Sequence, residues 1–212
     1  MSLSRRTLIA GLISFPLAAL AQQQAEFYPI PVELLAGLEA LQGVVTLGNK
    51  NADIRFIEFF DYNCGFCRRA VKDIRPMLAA HPDVAIQLVN YAVLGIPSIG
   101  ATRVALAFSK QKADRYLAFH EALFARKGTM DADQAIDVAL KNGANKAQLF
   151  RDADSEPVTQ AMLAAARLGE SFGFQATPSY LIGRDGFSGF LDRARKDAAI
   201  AAYRQCERAV CT

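Results

Sequence analysis

The sequence predicts an α/β domain interrupted by an all-helical insertion, and three observations predict it. The apolar run Ile54-Arg55-Phe56-Ile57-Glu58-Phe59-Phe60 suits a strand covered on both faces, and it leads at once towards Cys64-Gly65-Phe66-Cys67. Helical spacing of Ala70, Val71, Ile74 and Leu78 follows, and Val84-Ala85-Ile86-Gln87-Leu88-Val89 reads as a second strand. Together they make a βαβ unit with a parallel pair. Ala-rich helical texture then runs from Ser98 to about Gly169 without a strand candidate, before strand character resumes at Ser179.

The chain opens with a predicted secretory signal over residues 1–21. Arg5 and Arg6 form its charged start, Leu8 to Leu17 its apolar stretch, and Ala19-Leu20-Ala21 an A-x-A cleavage site. Even extended to that site, the apolar stretch is about 14 residues, short of the roughly 20 that a membrane span needs. Ser4-Arg5-Arg6-Thr7-Leu8-Ile9 also resembles a twin-arginine export signal, so either that route or the general secretory one delivers a periplasmic protein. The net charge of +3 includes those two arginines, and the +1 left without them indicates no nucleic-acid surface.

Residues 22–45 form an N-terminal extension: a Gln-rich leader, Pro29 and Pro31, then a short helix-like stretch with Val32, Leu35, Leu38 and Leu41 apolar. Such a helix is too short to stand alone and needs the body or another subunit to pack on, so residues 28–43 are a candidate homo-oligomer contact. Val44 to Leu47 reads as an edge strand before a turn at Gly48-Asn49, and Pro76 is expected to kink or end the helix after Cys64. Residues 46–96 and 170–212 are assigned to the α/β domain, and residues 97–169 to the insertion. Breaks in the insertion are expected near Gly128, Asn142-Gly143 and Glu156-Pro157. Ser179 to Ile182 returns as a strand, Gly183 to Gly186 as a hairpin turn and Phe187 to Phe190 as its partner. A last helix runs from about Leu191 towards Cys206.

Placing Cys64 at the first turn of a helix puts its sulfur near unpaired N–H groups and the positive end of the macrodipole, which favour thiolate over thiol. Cys67 falls one turn on and on the same face, within disulfide reach. A low-pKa thiolate with a resolving partner is the machinery of thiol–disulfide exchange. The competing arrangement is a zinc site of Cys64, Cys67, Cys206 and Cys211, but zinc knuckles sit on turns and this pair opens a helix; no metal is assigned. Glu58 lies six residues before Cys64 in an apolar strand; buried there it acquires a raised pKa and becomes a proton shuttle for Cys67, whereas turned outward it is inert.

His120 reads as a packing residue and His81, before Pro82, as a surface helix end. Phe60, Tyr62 and Phe66 are either an apolar platform for unfolded substrates or ordinary core. Cys206 and Cys211 would stand about 8 Å apart in one continuous helix, beyond a disulfide range of about 7 Å. A structural clip between them therefore requires the helix to end between them; free thiols, metal ligands and a second relay pair are the alternatives.

Glu58 to Cys67, the Tyr116-x-x-Phe119-His120-x-Ala122-Leu123-Phe124 helix and Ala176-Thr177-Pro178-Ser179-Tyr180-Leu181-Ile182-Gly183 together resemble the DsbA-like branch of the thioredoxin superfamily over roughly residues 45–205. The resemblance implies a thioredoxin-like fold with an inserted all-helical subdomain. It implies Cys64 as nucleophile, Cys67 as resolving thiol, Glu58 as buried acid and Pro178 as a cis-proline facing the cysteines. The candidate substrate-binding residues are Thr177, Pro178, Gly65 and Phe66. It further implies reduced or unfolded exported proteins as substrates, a membrane redox partner and no organic cofactor. Two departures from the oxidase pattern are Gly65-Phe66, where that pattern has Pro-His, and Thr177, where strong oxidases often carry valine. Both look more like isomerases and reductases of the superfamily. The direction expected here is oxidation, with isomerase or reductase as the first alternative and a thiolate metal-binding protein as the second.

Overall fold

A computed structural model describes residues 26–211, so the signal segment and the Gln-rich leader lie outside the described residues. The chain runs β1 (Tyr28–Pro29), α1 (Val32–Glu39), β2 (Val45–Gly48), β3 (Ile54–Phe60), α2 (Gly65–Ala80) and β4 (Val84–Asn90). Then come α3 (Ile96–Gln111), a 3₁₀ turn (Ala113–Arg115), α4 (Tyr116–Ala125), α5 (Ala132–Lys141), α6 (Lys146–Ala153) and α7 (Glu156–Ser171). The hairpin β5 (Ser179–Ile182) and β6 (Asp185–Ser188) and the helix α8 (Arg193–Cys206) complete it.

The six strands form one sheet in the order β1-β6-β5-β3-β4-β2, with β3 and β4 parallel and every other pair antiparallel. This is a thioredoxin-like fold with its helical insertion between β4 and β5. Central β3 is buried along all but Arg55, because helices cover both its faces. Alternation sends Phe56, Glu58 and Phe60 towards α2 and Ile57 and Phe59 the other way. On the first side Phe56 and Phe60 pack with Cys67, Val71, Ile74, Tyr180 and Ile200; on the second, Ile57 and Phe59 pack with Ile30, Leu168, Phe172 and Phe174.

Four local features differ from the sequence expectation. Of the kink or end expected at Pro76, the end does not occur: Pro76 lies on the exposed face of α2, while Ala70, Val71, Ile74 and Met77 bury the opposite stripe and carry the helix past it. The hairpin turn is only Gly183-Arg184, with Gly183 at φ +56°, so β6 begins at Asp185. That register is anchored from outside, since the Asp185 carboxylate accepts bonds from the Arg208 guanidinium and the Ala209 N–H. Strand β1 lies within the stretch read as an extension and pairs with β6 as an edge, where Pro29 is tolerated. Finally, α3 stops at Lys112 with no glycine or proline to announce it.

Helix α1 lays Leu34, Leu35 and Leu38 on the chain's own second core and leaves Val32 exposed. At the other end α8 stops at Cys206, and Glu207 takes the left-handed conformation at φ 55°. That reversal brings the Cα atoms of Cys206 and Cys211 to 6.0 Å, and the two sulfurs are bonded. A zinc site shared by all four cysteines is therefore not the arrangement present.

Candidate active site

Cys64 caps α2 rather than sitting in its first turn. Its backbone is extended (φ −84°, ψ 120°), and its Sγ accepts the Cys67 N–H at 3.3 Å, one of the donors that a helix start leaves unpaired. A thiol hydrogen bond from Cys67 pulls the Cys64 thiol down to about 6. The Thr177 side chain and the Cys67 and Phe66 N–H groups add to it, and partial burial opposes it. Cys67 is fully buried, and burial drives its thiol far up, with the bond to Cys64 and the Glu58 charge acting in the same sense. The two sulfurs are thus unequal: one ionises readily and the other holds its proton.

Glu58 is buried at 4% exposure on the sheet face covered by α2, which carries Cys67, and pairs with Tyr180 on β5 and Leu88 on β4. Desolvation lifts its carboxyl to about 7; the Lys196 ammonium works against that, and the Asp73 and Cys64 charges reinforce it. The sequence reading missed both Lys196 and Asp73. The available signal was that Lys196 shares a helical stripe with Ala199 and Ile200, which places a lysine on a buried face.

The Thr177–Pro178 peptide is cis and lies against the redox pair: the Cys64 thiol donates to the Thr177 carbonyl at 2.9 Å. That contact belongs to the thiol form and resists ionisation, whereas the Thr177 side chain favours the thiolate; the balance falls to the thiolate. The Pro178 carbonyl accepts the Gly189 N–H at 3.0 Å, which ties the loop to the end of β6. Gly65 is exposed, with open space where a Cβ would stand.

A polar clamp that the sequence reading also missed holds the loop before Cys64. Asp61, 1% exposed, accepts from the N–H groups of Asn63, Val93 and Leu94 and from the Ser98 hydroxyl. The Asn63 amide donates to Ser98 Oγ and the Met130 carbonyl, both at 2.9 Å, and accepts the Met130 N–H at 2.7 Å. Asx residues between a strand and a helix were the signal. The clamp fastens the redox loop to the insertion.

Of the three aromatics left between platform and core, Phe60 and Tyr62 are core, whereas Phe66 is 53% exposed and packs on Phe190. Arg69 lies over the Phe190 ring at 4.5 Å. Val93, Leu94, Ile96 and Ile99, which the sequence reading did not single out, are also exposed, and the Asp61 clamp holds Val93 and Leu94 beside the redox loop. His120 is buried with its Nδ1 3.2 Å from the Tyr62 hydroxyl, and burial pushes its pKa down to about 3, so it stays neutral. His81 is more than a surface end: its Nε2 lies 2.9 Å from Asp197 and its Nδ1 accepts from Arg204.

A sheet that brings an easily ionised thiol to the mouth of a cis-proline loop, above a buried acid, is the thioredoxin fold arranged for thiol–disulfide exchange. The protein is an oxidoreductase of that class. A family model described as the DSBA-like thioredoxin domain matches residues 55–200, and the chain belongs to that family. It is similar in structure to a thioredoxin-like oxidoreductase from Silicibacter pomeroyi DSS-3 (TM-score 0.74, 31% identity, covering 80% of this chain and 97% of that one). It also resembles the thiol-disulfide exchange protein alpha-DsbA2 from Wolbachia pipientis (TM-score 0.71, 22% identity, 78% and 90% covered). In sequence it is 24% identical over 170 residues to Disulfide bond formation protein D of Bacillus subtilis strain 168, covering 76% of this chain and 77% of that protein. Among the described residues no helix is long and apolar enough to cross a membrane.

Proposed function

We propose that the protein is an exported, periplasmic donor of disulfides to reduced or unfolded exported proteins, working through Cys64 and Cys67. The observation that carries this reading is the inequality of the two sulfurs, with Cys64 ionising at about 6. A stabilised Cys64 thiolate favours the reduced enzyme, and a stabilised reduced form makes its disulfide oxidising. The signal-like residues at 1–21 and the bonded Cys206–Cys211 pair support export.

A substrate thiolate attacks Cys64 Sγ of the Cys64–Cys67 disulfide; the S–S bond breaks, and Cys67 leaves as a thiolate that takes a proton from Glu58. A second substrate thiol, once deprotonated, attacks the substrate sulfur of the mixed disulfide, and Cys64 departs as its stabilised thiolate. Two electrons pass from substrate to enzyme, and a membrane redox partner takes them away. With its carboxyl lifted to about 7, Glu58 can both give and take a proton near neutrality. Thr177, Pro178, Gly65 and the exposed Phe66 line the approach of an extended substrate chain.

A second reading, isomerase or reductase, is favoured by Phe66, whose side chain has no donor for the Cys64 thiolate. The reduction potential against glutathione decides between them. A value near or above about −150 mV fits a disulfide donor or oxidising isomerase, and one near about −270 mV fits a reductant and overturns the oxidase direction. Sedimentation bears on oligomerisation through residues 28–43: assembly would support the isomerase or reductase reading, and a monomer weakens it.

A further inference from the structure

Lys196 lies inside the protein, 1% exposed, and its Nζ pairs with Asp73 Oδ2 on α2 at 2.9 Å. The same Nζ stands 5.3 Å from the centre of the Tyr180 ring, and Tyr180 is the ladder partner of Glu58. A buried ion pair is expensive to desolvate, and apolar side chains of similar volume often replace one without loss of stability. The neighbours of Lys196 on its helical stripe are Ala199 and Ile200, and the Tyr180 ring lies beside its ammonium, so the pair is set among apolar groups. Such a pair is weak evidence for a purely stabilising role.

We propose that Lys196 and Asp73 are positioning residues of the redox site, a charged pair that sets the protonation equilibrium of Glu58 and so keeps it ready to exchange a proton with Cys67. The proposal rests on the reading of Glu58 as the proton carrier. The groups facing Glu58 are Cys64 at the cap of α2, Cys67 and Asp73 from α2, Tyr180 from β5 and Lys196 from α8, while Leu88 of β4 brings no charge. The Lys196 ammonium favours the carboxylate, and Asp73 and the Cys64 thiolate favour the acid. The Cys64 thiolate exists only once the disulfide is reduced. Reduction therefore draws a proton onto Glu58 at the stage when Cys67 has received its own, and reoxidation releases it.

The test is a direct NMR titration of the Glu58 carboxyl in the oxidised protein, where neither active-site sulfur ionises, together with the pH profile of disulfide exchange. Lys196→Met should move the Glu58 titration up and Asp73→Asn should move it down, each by roughly one pH unit, with Lys196→Arg close to the parent protein. The midpoint of the exchange profile should follow with the same signs, and both movements of that profile should vanish when Glu58→Gln is added. A merely structural pair would weaken the fold in both variants without opposite shifts, and shifts that are absent or of one sign overturn the proposal. Should Lys196→Met not fold, Asp73→Asn still requires the downward movement. An unmoved titration removes this inference alone. A titration that moves as stated while the exchange profile stays still removes the proton-carrier role of Glu58, and the proposal with it.

Discussion

The sulfur of Cys64 lies 2.9 Å from the carbonyl oxygen of Thr177, a residue 113 positions further along the chain. The contact joins the start of α2 to the loop before β5, and β3 pairs with β5 directly beneath it. Cys64, the cis-proline loop and Glu58 on β3 are therefore held in one frame. Their relative positions follow from sheet pairing, which explains how residues so distant in sequence act on the same sulfur.

Thr177→Val removes the hydroxyl that favours the Cys64 thiolate and leaves the backbone carbonyl in place. The Cys64 thiol should ionise at higher pH than in the parent protein, where it does so at about 6. Alkylation rates of the reduced variant across pH check this; a midpoint unchanged or lower removes Thr177 from the electrostatics of the site.

Glu58→Gln should slow exchange at neutral pH by roughly tenfold or more through loss of the proton carrier. Its effect on stability has the opposite sense. The Glu58 carboxyl is raised from 4.5 to about 7, so the folded state keeps a proton that the unfolded chain has lost across that interval. Stability from this group is present below pH 4.5 and is lost as pH rises through about 7. The variant should thus be more stable than the parent above that pH by on the order of 3 kcal/mol, with the difference closing in acid. Denaturant unfolding of the proteins reduced at Cys64 and Cys67, at pH values on both sides of the interval, measures it; a variant less stable at high pH contradicts the assignment.

Features set by neighbours along the chain were legible in the sequence: the strand into Cys64, the α2 stripe of Ala70, Val71 and Ile74, and the strand of Ser179 to Ile182. What escaped was decided by contacts across the fold. Lys196 reaches Asp73 across 123 positions, and Asn63 reaches Met130 across 67. Neither partner is implied by local pattern. Phe60 and Tyr62 could be read from the sequence as platform or as core, and the fold decides for core: alternation from Phe56 sends Phe60 inward, and the insertion covers Tyr62. Pro76 marked a kink or a helix end by local rule, and burial of Ile74 and Met77 carries the helix past it without an end there.

Asn63→Ala removes both bonds of the amide to Met130 and the one to Ser98, leaving partly buried polar groups without partners. A loss of about 2–3 kcal/mol is expected. Exchange should slow as well, because the loop before Cys64 is no longer tied to the insertion. Chemical denaturation and an insulin-type reduction or refolding assay test the pair of effects; full stability with full activity would show that the clamp is dispensable.

Replacing Cys206 and Cys211 together by serine opens a short loop and should cost about 2 kcal/mol by loop-closure entropy. Disulfide exchange through Cys64 should persist, since neither sulfur belongs to the redox site described above. A collapse of exchange activity in a folded variant would make that disulfide part of the electron path.

The central claim is that Cys64 is the easily ionised nucleophile and Cys67 its protonated partner, and alkylation of the reduced protein across pH tests it most directly, with each modified cysteine located by mass spectrometry. The structure predicts a rate midpoint near 6 at Cys64 and little reaction at buried Cys67. A midpoint in the ordinary thiol range of about 8.5, or equal modification of both sulfurs, would contradict it.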